Sequence, residues 1–250
     1  MNNTVATRLP RAAAVCSLLS LLSCATTDRT AAPPPEAVPA WARQALVVRT
    51  VMGFRASLTA WERDSRGWRR TAGPLLAVVG RNGFAPAGKK REGDGRTPSG
   101  IFRLGLAFGR PASLKTGLHY RQATDDDYWV DDPASPQYNQ WVRGQPAARS
   151  WEKMRPSNGL YDAGIVVEYN TAPTVSGRGS AIFIHLWEGK GKKATAGCVA
   201  LRRDNLIALL RWLDAKANPV VVLGTSPPAA EHAPSAGGRE APDAEMTFDE

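Results

Sequence analysis

Seven short apolar runs, separated by turn-forming residues, dominate the middle of this 250-residue chain. They occupy residues 45–51, 55–63, 74–80, 100–109, 163–170, 180–187 and 219–224. Runs of this length, bounded by glycine and proline, are typical of β-strands. With 43% apolar residues, the chain can also bury a sizeable core. The pattern therefore predicts one mainly β domain, built as a sandwich or a distorted barrel.

A single α-helix is predicted near the C-terminal end, at about residues 204–215. Asp204 stands where a helix-capping residue is favoured. Four leucines recur after it at helical spacing: Leu206, Leu209, Leu210 and Leu213. This apolar stripe indicates that the helix covers one face of the sheet.

Residues 110–160 form a long segment without a strong strand or helix pattern. The segment is aromatic and acidic by turns, as in TDDDYWVDDPASPQYNQWV. A connection of this length inside a compact domain is usually functional or mobile. Two interpretations stay open. It is either a surface loop anchored by Tyr128, Trp129, Tyr138 and Trp141, or a wall over a binding cleft.

The N-terminal region is predicted to be an export signal. Arg8 and Arg11 precede the apolar run AAAVCSLLSLLSC, which has the length of a secretory signal rather than a membrane helix. The run ends in LLSC, which resembles a bacterial lipobox. We predict that residues 1–23 are a lipoprotein signal peptide and that lipidated Cys24 anchors the exported chain to the membrane. The alternative is secretion with Cys24 lost or unmodified.

The two segments that flank the predicted domain have little capacity to fold. Residues 24–44 are rich in proline and alanine and predict an extended tether. Residues 45–224 hold the apolar runs, and residues 225–250 predict a disordered acidic tail. The net charge of +9 favours an anionic partner such as the cell wall. Nucleic acid is not expected, because no basic helix or aromatic RNA-binding pattern is present and the chain is predicted to be exported.

Cys198 is the one thiol expected in the mature chain, because Cys16 leaves with the signal and Cys24 is capped. Such a thiol is either a buried hydrophobic residue or a nucleophile. Cys198 with His185 suits acyl transfer, since imidazole can accept the proton of an attacking thiol. Gly197 allows close backbone approach, and the N–H groups around Cys198 could face an oxyanion. From spacing alone, a core histidine and a core thiol remain the alternative.

No metal site is predicted, because cysteines and histidines do not occur at paired-ligand spacing. The motif GKKREGDGRTPSGIF, residues 88–102, contains an Asp-Gly turn pair and predicts a basic hairpin tip. Its basic residues either meet an anionic ligand or are solvated: Lys89, Lys90, Arg91 and Arg96. The motif lacks the residue order of a Walker loop.

Three motifs in order, KKREGDGRTPSGIF, IFIH and TAGCVAL, resemble the L,D-transpeptidase catalytic domain, often called the YkuD-like domain. VGRNGFAP and WVDDPASPQYNQWV further resemble a bacterial branch of that family. The resemblance spans residues 45–224. It implies a mainly β, YkuD-like β-sandwich with one covering α-helix near the C-terminal end and a long loop insertion.

The resemblance also implies a function. The chain would be a peptidoglycan L,D-transpeptidase that acts on stem peptides, without a cofactor. Cys198 would form a thioester, His185 would act as base and acid, Gly197 would lie at the oxyanion hole, and Thr195 would orient the loop. If water resolves the thioester, the chain is a carboxypeptidase or amidase. A non-catalytic wall-binding lipoprotein is the alternative from another class.

Some positions depart from the family pattern. Many members have glycine where this chain has Leu186, and arginine where it has Ala200. The departures leave the candidate nucleophile and base intact and concern the choice of substrate and acceptor. Candidate substrate contacts are Trp187, Arg202 and Trp129.

Overall fold

The structure is a computed structural model that describes residue 1 and residues 37–224. The predicted lipidation site Cys24 and the predicted acidic tail lie outside the described residues, as do all but the first residue of the signal peptide and most of the tether. In the described part of the chain, no helix has the length and apolar character needed to span a membrane.

Twelve strands and one α-helix are found within residues 37–224. The strands are β1 (Gln44–Met52), β2 (Arg55–Asp64), β3 (Gly67–Val78), β4 (Gly100–Gly109), β5 (Tyr120–Gln122), β6 (Asp127–Val130), β7 (Gln140–Arg143), β8 (Trp151–Lys153), β9 (Ala163–Val167), β10 (Phe183–Leu186), β11 (Val199–Leu201) and β12 (Val220–Leu223). The helix α1 spans Arg203–Trp212, and short 3-10 turns cover Gly189–Gly191 and Ala215–Ala217. The predicted mainly β fold with one helix near its C-terminal end is confirmed.

Nine strands form one mixed sheet in the order β12-β1-β2-β3-β11-β10-β9-β4-β5. β12 also pairs with β4, so the sheet closes on itself. The two layers of the expected sandwich therefore belong to one continuous sheet. All seven predicted runs contribute strands to it. β10 and β11 lie side by side and parallel in its centre.

Side-chain alternation along these strands builds a main core on one face of the sheet. Ile184 and Leu186 of β10 are buried in it, with Val199 and Leu201 of β11. Because successive strand residues point to opposite faces, Phe183 and its neighbours two residues along lie on the other face. That opposite face carries a second apolar cluster around Phe183.

Helix α1 packs its leucines into the main core beside β9 and β10, as the apolar stripe predicted. The predicted cap is wrong. Arg202 is the N-cap residue, and its side chain makes no capping hydrogen bond. The helix begins at Arg203, so Asp204 lies in the first turn, where its negative charge favours the helix dipole.

The 110–160 segment contains four short strands that the sequence pattern did not reveal. β5 extends the main sheet beside β4, whereas β6, β7 and β8 form a separate three-stranded sheet, here called the insertion sheet. Trp129 of β6 lies opposite Trp141 of β7 and opposite Glu152 of β8. The Trp129 ring packs edge-to-face on Phe183, with ring centroids 4.9 Å apart. The insertion sheet therefore covers the face of β10 that lies opposite the main core.

Asp127, at the start of β6, is the centre of a hydrogen-bond network that stabilises the insertion sheet. Its buried carboxylate accepts hydrogen bonds from Arg121 and Trp141, each at 2.8 Å, and from the Thr124 N–H and hydroxyl. Burial raises the pKa of Asp127, but the hydrogen bonds from Trp141, Thr124 and Arg143 outweigh it and hold the pKa well below its ordinary value. The charged form is thus the one that the fold stabilises.

Asp127→Asn is expected to lower the free energy of unfolding by about 2 to 4 kcal/mol, because it weakens a buried charge-assisted network. Since the folded pKa is depressed, the Asp127 contribution is present at neutral pH and is lost as pH falls below the unfolded value near 3.9. Urea unfolding of both proteins at pH 7 and pH 3 checks this. The stability gap should shrink at pH 3, and an equal gap at both values contradicts the assignment. Asp126→Asn, at an exposed neighbour, is the control.

Candidate active site

Cys198 and His185 lie on neighbouring strands, on the face of the main sheet that the insertion sheet covers. β10 pairs with β11 so that Ile184 is opposite Val199 and His185 is opposite Ala200. Cys198 directly precedes β11, and the pleat places it on the same face as His185. Both side chains line one cavity of about 340 Å³. The structure thus brings together the two residues that the sequence singled out.

The thiol of Cys198 is buried and hydrogen-bonded to the backbone. Its sulfur accepts from the Phe183 N–H at 3.3 Å and donates to the Ala181 carbonyl at 3.1 Å. Burial raises the pKa of the Cys198 thiol, and the negative charge of Glu152 raises it further. The resting sulfur is therefore a neutral thiol that needs a base before it can attack.

His185 is placed as a neutral base. Its Nδ1 lies 2.8 Å from the Leu186 carbonyl oxygen, which can only accept a hydrogen bond. Nδ1 is therefore assigned the proton, and Nε2 keeps its lone pair. Burial lowers the pKa of His185 to about 4, so the imidazole is uncharged at neutral pH. A neutral thiol beside a neutral imidazole suits general-base activation rather than a preformed ion pair.

Tyr161 and Glu152 form the wall next to the imidazole. The Tyr161 ring packs edge-to-face against His185, with ring centroids 5.2 Å apart. Its hydroxyl donates to Glu152 Oε2 at 2.5 Å. Burial raises the pKa of Tyr161 and the charge of Glu152 raises it further, so the phenol stays protonated as the donor.

Thr195 organises the loop that leads into Cys198. Its hydroxyl donates to the Cys198 carbonyl at 2.7 Å and accepts from the Gly197 N–H at 3.1 Å. Of the two backbone donors expected for an oxyanion, the Gly197 N–H is thus already engaged. The Cys198 N–H takes part in none of the loop and turn hydrogen bonds of the described residues. It is the better candidate for the oxyanion donor.

Glycine is needed at position 197 for a different reason, because the backbone of another segment lies very close to it. A Cβ at this position would lie 2.9 Å from the Arg96 carbonyl oxygen. The 88–102 segment therefore packs directly against the loop that leads into Cys198. The Thr97 hydroxyl donates to the Cys198 carbonyl at 3.4 Å and accepts from the Gly80 N–H at 2.9 Å. This links the motif GRTPSG to the position of Cys198.

The predicted basic hairpin at 88–102 is wrong, because Asp94 folds this segment as an irregular loop. Asp94 accepts hydrogen bonds from the Lys90 ammonium at 2.7 Å and from the Arg91 and Arg96 N–H groups at 2.8 Å. Lys90 is only 4% exposed, so it is buried in an ion pair instead of solvated.

Three residues predicted to contact substrate lie outside the cavity lining. Trp129 is 5% exposed and belongs to the apolar cluster under the insertion sheet. The Trp187 ring packs close to Gly191, and Arg202 lies 3.7 Å from Asp204. The neighbouring Arg203 pairs with Asp162 at 2.9 Å.

Four carboxylates from separate segments line the cavity, and the sequence did not identify them as site residues. They are Glu92, Asp131, Glu152 and Glu188. The acidic run DDDYWVDD was visible in the sequence, but strands of three or four residues are too short to show which side chains face inward. Burial raises the pKa of Glu152, and the charges of Asp131 and Glu92 raise it further.

Glu152→Gln is expected to lower the pKa of the Cys198 thiol, because it removes a nearby negative charge. Alkylation of Cys198 by iodoacetamide between pH 7 and 9 should become about three- to tenfold faster, following the thiolate fraction. Intact-mass kinetics measures this rate. Glu168→Gln, at an exposed carboxylate outside this cavity, should leave the rate unchanged. An unchanged rate in Glu152→Gln contradicts the electrostatic coupling.

Two solved structures resemble this chain at low sequence identity. Bd1075 of Bdellovibrio bacteriovorus is 14% identical with a TM-score of 0.40, and the match covers 73% of this chain and 48% of that one. The helical cell shape determining protein Pgp2 of Campylobacter jejuni is 16% identical with a TM-score of 0.41, covering 74% and 48%. The chain thus spans about half the length of these two proteins.

No curated protein matches the chain by sequence. The sequence profile of the L,D-transpeptidase catalytic domain, YkuD, matches residues 54–222. The match includes β2 to β11, the cavity, and both Cys198 and His185. Because the match covers well over half of the chain, this protein belongs to the L,D-transpeptidase catalytic domain (YkuD) family.

Proposed function

We propose that this protein is a peptidoglycan L,D-transpeptidase that works through a thioester on Cys198. The observation that carries the proposal is the shared cavity, in which a buried thiol and a neutral imidazole lie on adjacent strands of a domain of this family. The stem peptide is the proposed donor substrate. Its bond between the third residue and a following D-residue would be the one attacked, as in other members of the family.

Acylation begins when Nε2 of His185 accepts the thiol proton and the sulfur of Cys198 attacks the peptide carbonyl carbon. The carbonyl oxygen gains negative charge, and the Cys198 N–H is the proposed donor to it. The C–N bond then breaks as His185 returns the proton to the leaving nitrogen. The D-residue departs as a free amine, and the donor peptide remains as a thioester.

The second half reverses these roles. A primary amine enters the cavity, His185 removes its proton, and the amine nitrogen attacks the thioester carbonyl. The C–S bond breaks, and the sulfur of Cys198 takes the proton back from His185. The product is a new amide bond, so atoms and charges balance without a cofactor. Water in place of the amine would give hydrolysis and a carboxypeptidase.

Cys198→Ala should reduce acyl transfer on purified muropeptides to background, because no other described side chain in the cavity is a thiol. Mass spectrometry of the products, with and without an added D-amino acid, also separates transfer from hydrolysis. Thermal unfolding should show that the variant stays folded, since alanine removes only the sulfur. Undiminished product formation by the folded variant would overturn the mechanism, and an unreactive wild-type Cys198 would favour a non-catalytic wall-binding protein.

We also propose that the protein is exported and held at the membrane by lipid on Cys24. The tether would be the first part of the 24–44 segment, because Val38 and Ala42 are buried in the domain and Gln44 begins β1. The family supports a place at the cell wall. The net charge of +9 would favour the anionic wall polymer. The anchor would keep the catalytic domain within reach of its substrate.

Cys24→Ala should abolish lipid attachment and should block removal of the signal peptide, so that residues 1–23 stay on the chain. Incorporation of a labelled fatty acid and the intact mass of the chain measure both effects. Cys16→Ala is the matched control, since it changes a cysteine inside the predicted signal peptide and should leave the anchor in place. A Cys24→Ala protein that still incorporates the labelled fatty acid contradicts lipidation at this residue.

A further inference from the structure

We infer that the cavity beside Cys198 contains a subsite for a primary ammonium group, formed by Asp131 and Glu152 of the insertion region. The inference rests on the proposed function and names the charged group that the substrate brings into the cavity. Two sources of this group exist in that reaction. One is a side-chain amine of the donor peptide, and the other is the incoming acceptor amine.

The two carboxylates share the inward face of the insertion sheet. Glu152 lies directly opposite Trp129, and Asp131 follows two positions after Trp129. Because residues directly opposite in an antiparallel pair share a face, Trp129 and Glu152 point to the same side. Asp131 directly follows the end of β6. Trp129 packs on Phe183, so that side faces the strand that carries His185. Both carboxylates line the cavity that contains Cys198.

Asp131 has an unsatisfied acceptor within this wall. Its Oδ1 is buried and accepts no hydrogen bond from the described residues. A buried carboxylate oxygen without a donor is unfavourable, and native proteins seldom retain one without a ligand or water. An ammonium group offers three N–H donors and a compensating charge. A group of that kind would satisfy Asp131 and weaken its repulsion with Glu152.

No lysine or arginine that lines the cavity is paired with this wall. Lys90 is hydrogen-bonded to Asp94, and Lys193 donates to Glu188 at 2.5 Å. The Arg81 guanidinium lies over Gly95, and no ion pair joins it to Asp131 or Glu152 within residues 37–224. Asp131 therefore has no positively charged partner among the described residues, and a ligand cation would supply one.

The other two carboxylates of the cavity are already satisfied, since Glu188 accepts from Lys193. Glu92 accepts hydrogen bonds from the hydroxyls of Tyr138 and Ser180. Glu152 has one donor, the Tyr161 hydroxyl, so it retains acceptor capacity. Within the described residues, no three acidic, histidine or cysteine side chains are grouped as a metal site. The wall therefore fits a single monovalent, hydrogen-bonding cation better than a divalent metal ion.

An ammonium group at this position would also assist the chemistry. The charge of Glu152 disfavours the Cys198 thiolate. A bound cation next to Glu152 offsets that charge, so proton transfer to His185 becomes easier when the correct substrate is in place. The subsite would then increase the rate of acylation as well as the affinity for the peptide.

The test uses the purified full chain and two donor tetrapeptides that differ only in the side-chain amine of the third residue, which is free in one and acetylated in the other. Acyl-enzyme formation without acceptor, followed by intact mass, gives kcat/KM for each donor. The wild type should prefer the free amine by about tenfold or more, and Asp131→Asn should reduce that preference at least fivefold. Its rate with the acetylated donor should change less than about twofold. If Asp131→Asn folds poorly, Glu152→Gln serves as a second variant, and only the ratio of the two donor rates is compared, because its effect on the Cys198 pKa changes both rates together.

Asp126→Asn is the matched control, because it makes the same charge change on an exposed residue of the insertion that does not line the cavity. It should keep the wild-type preference. If both donors react equally but Asp131→Asn raises the KM for a D-amino acid acceptor, the subsite serves the acceptor amine. A wild-type preference in Asp131→Asn for both donor and acceptor overturns the subsite and leaves the proposed function standing.

Peptide binding to the Cys198→Ala variant tests the ammonium subsite separately from the proposed transpeptidase activity. If no peptide acylates the wild type, but Cys198→Ala binds the free-amine donor more tightly than the acetylated one, the ammonium subsite stands and the proposed transpeptidase activity fails. That preference should be lost in the Cys198→Ala/Asp131→Asn double variant. Equal dissociation constants for the two donors, together with no acylation, overturn both.

Discussion

The parallel pairing of β10 with β11 is the constraint on which the candidate site depends. It sets Ile184 opposite Val199, and the pleat then places His185 and Cys198 on one face. Because strand side chains alternate, a slip of one residue would turn Cys198 into the main core and bring Val199 into the cavity. The register is protected by burial, since Ile184, Val199 and Leu201 are all fully enclosed in the main core.

Strand pairing selects the face on which Cys198 lies, and hydrogen bonds to the loop before β11 further fix its backbone position. Two threonine hydroxyls, from Thr195 and Thr97, donate to the Cys198 carbonyl. Thr97 belongs to the 88–102 segment, whose backbone is held by the Asp94 carboxylate and the buried Lys90 ion pair. A motif far away in sequence therefore shapes the backbone around the thiol, and this requires a glycine at 197.

The insertion sheet changes the electrostatics of the face that it covers. Trp129 packs on Phe183 and Trp141 packs on Phe108, while Asp131 and Glu152 line the cavity. Enclosure favours the neutral forms of both His185 and Cys198. The same enclosure strengthens any charge interaction inside the cavity, because less water screens it. The fold thus places a neutral thiol and a neutral imidazole, the candidate catalytic pair, next to an acidic wall. The wall belongs to the 110–160 segment, which lacks a strong strand pattern in the sequence.

The sequence by itself determined the mainly β class, seven of the strands, the single helix, and the pairing of His185 with Cys198 as candidates. Long apolar runs and a lone thiol carry this information locally, and the ordered motifs link it to a family. The four strands β5 to β8 of the 110–160 segment were not predictable, because they are too short for an alternation of apolar and polar residues to be recognised. The cap at Arg202, the irregular Asp94 loop, and the engaged Gly197 N–H depend on hydrogen bonds that local pattern does not specify. Only the tertiary structure decided that Asp131 and Glu152 line the same cavity as Cys198, because the packing of the insertion sheet on β10 brings residues together that are distant in sequence.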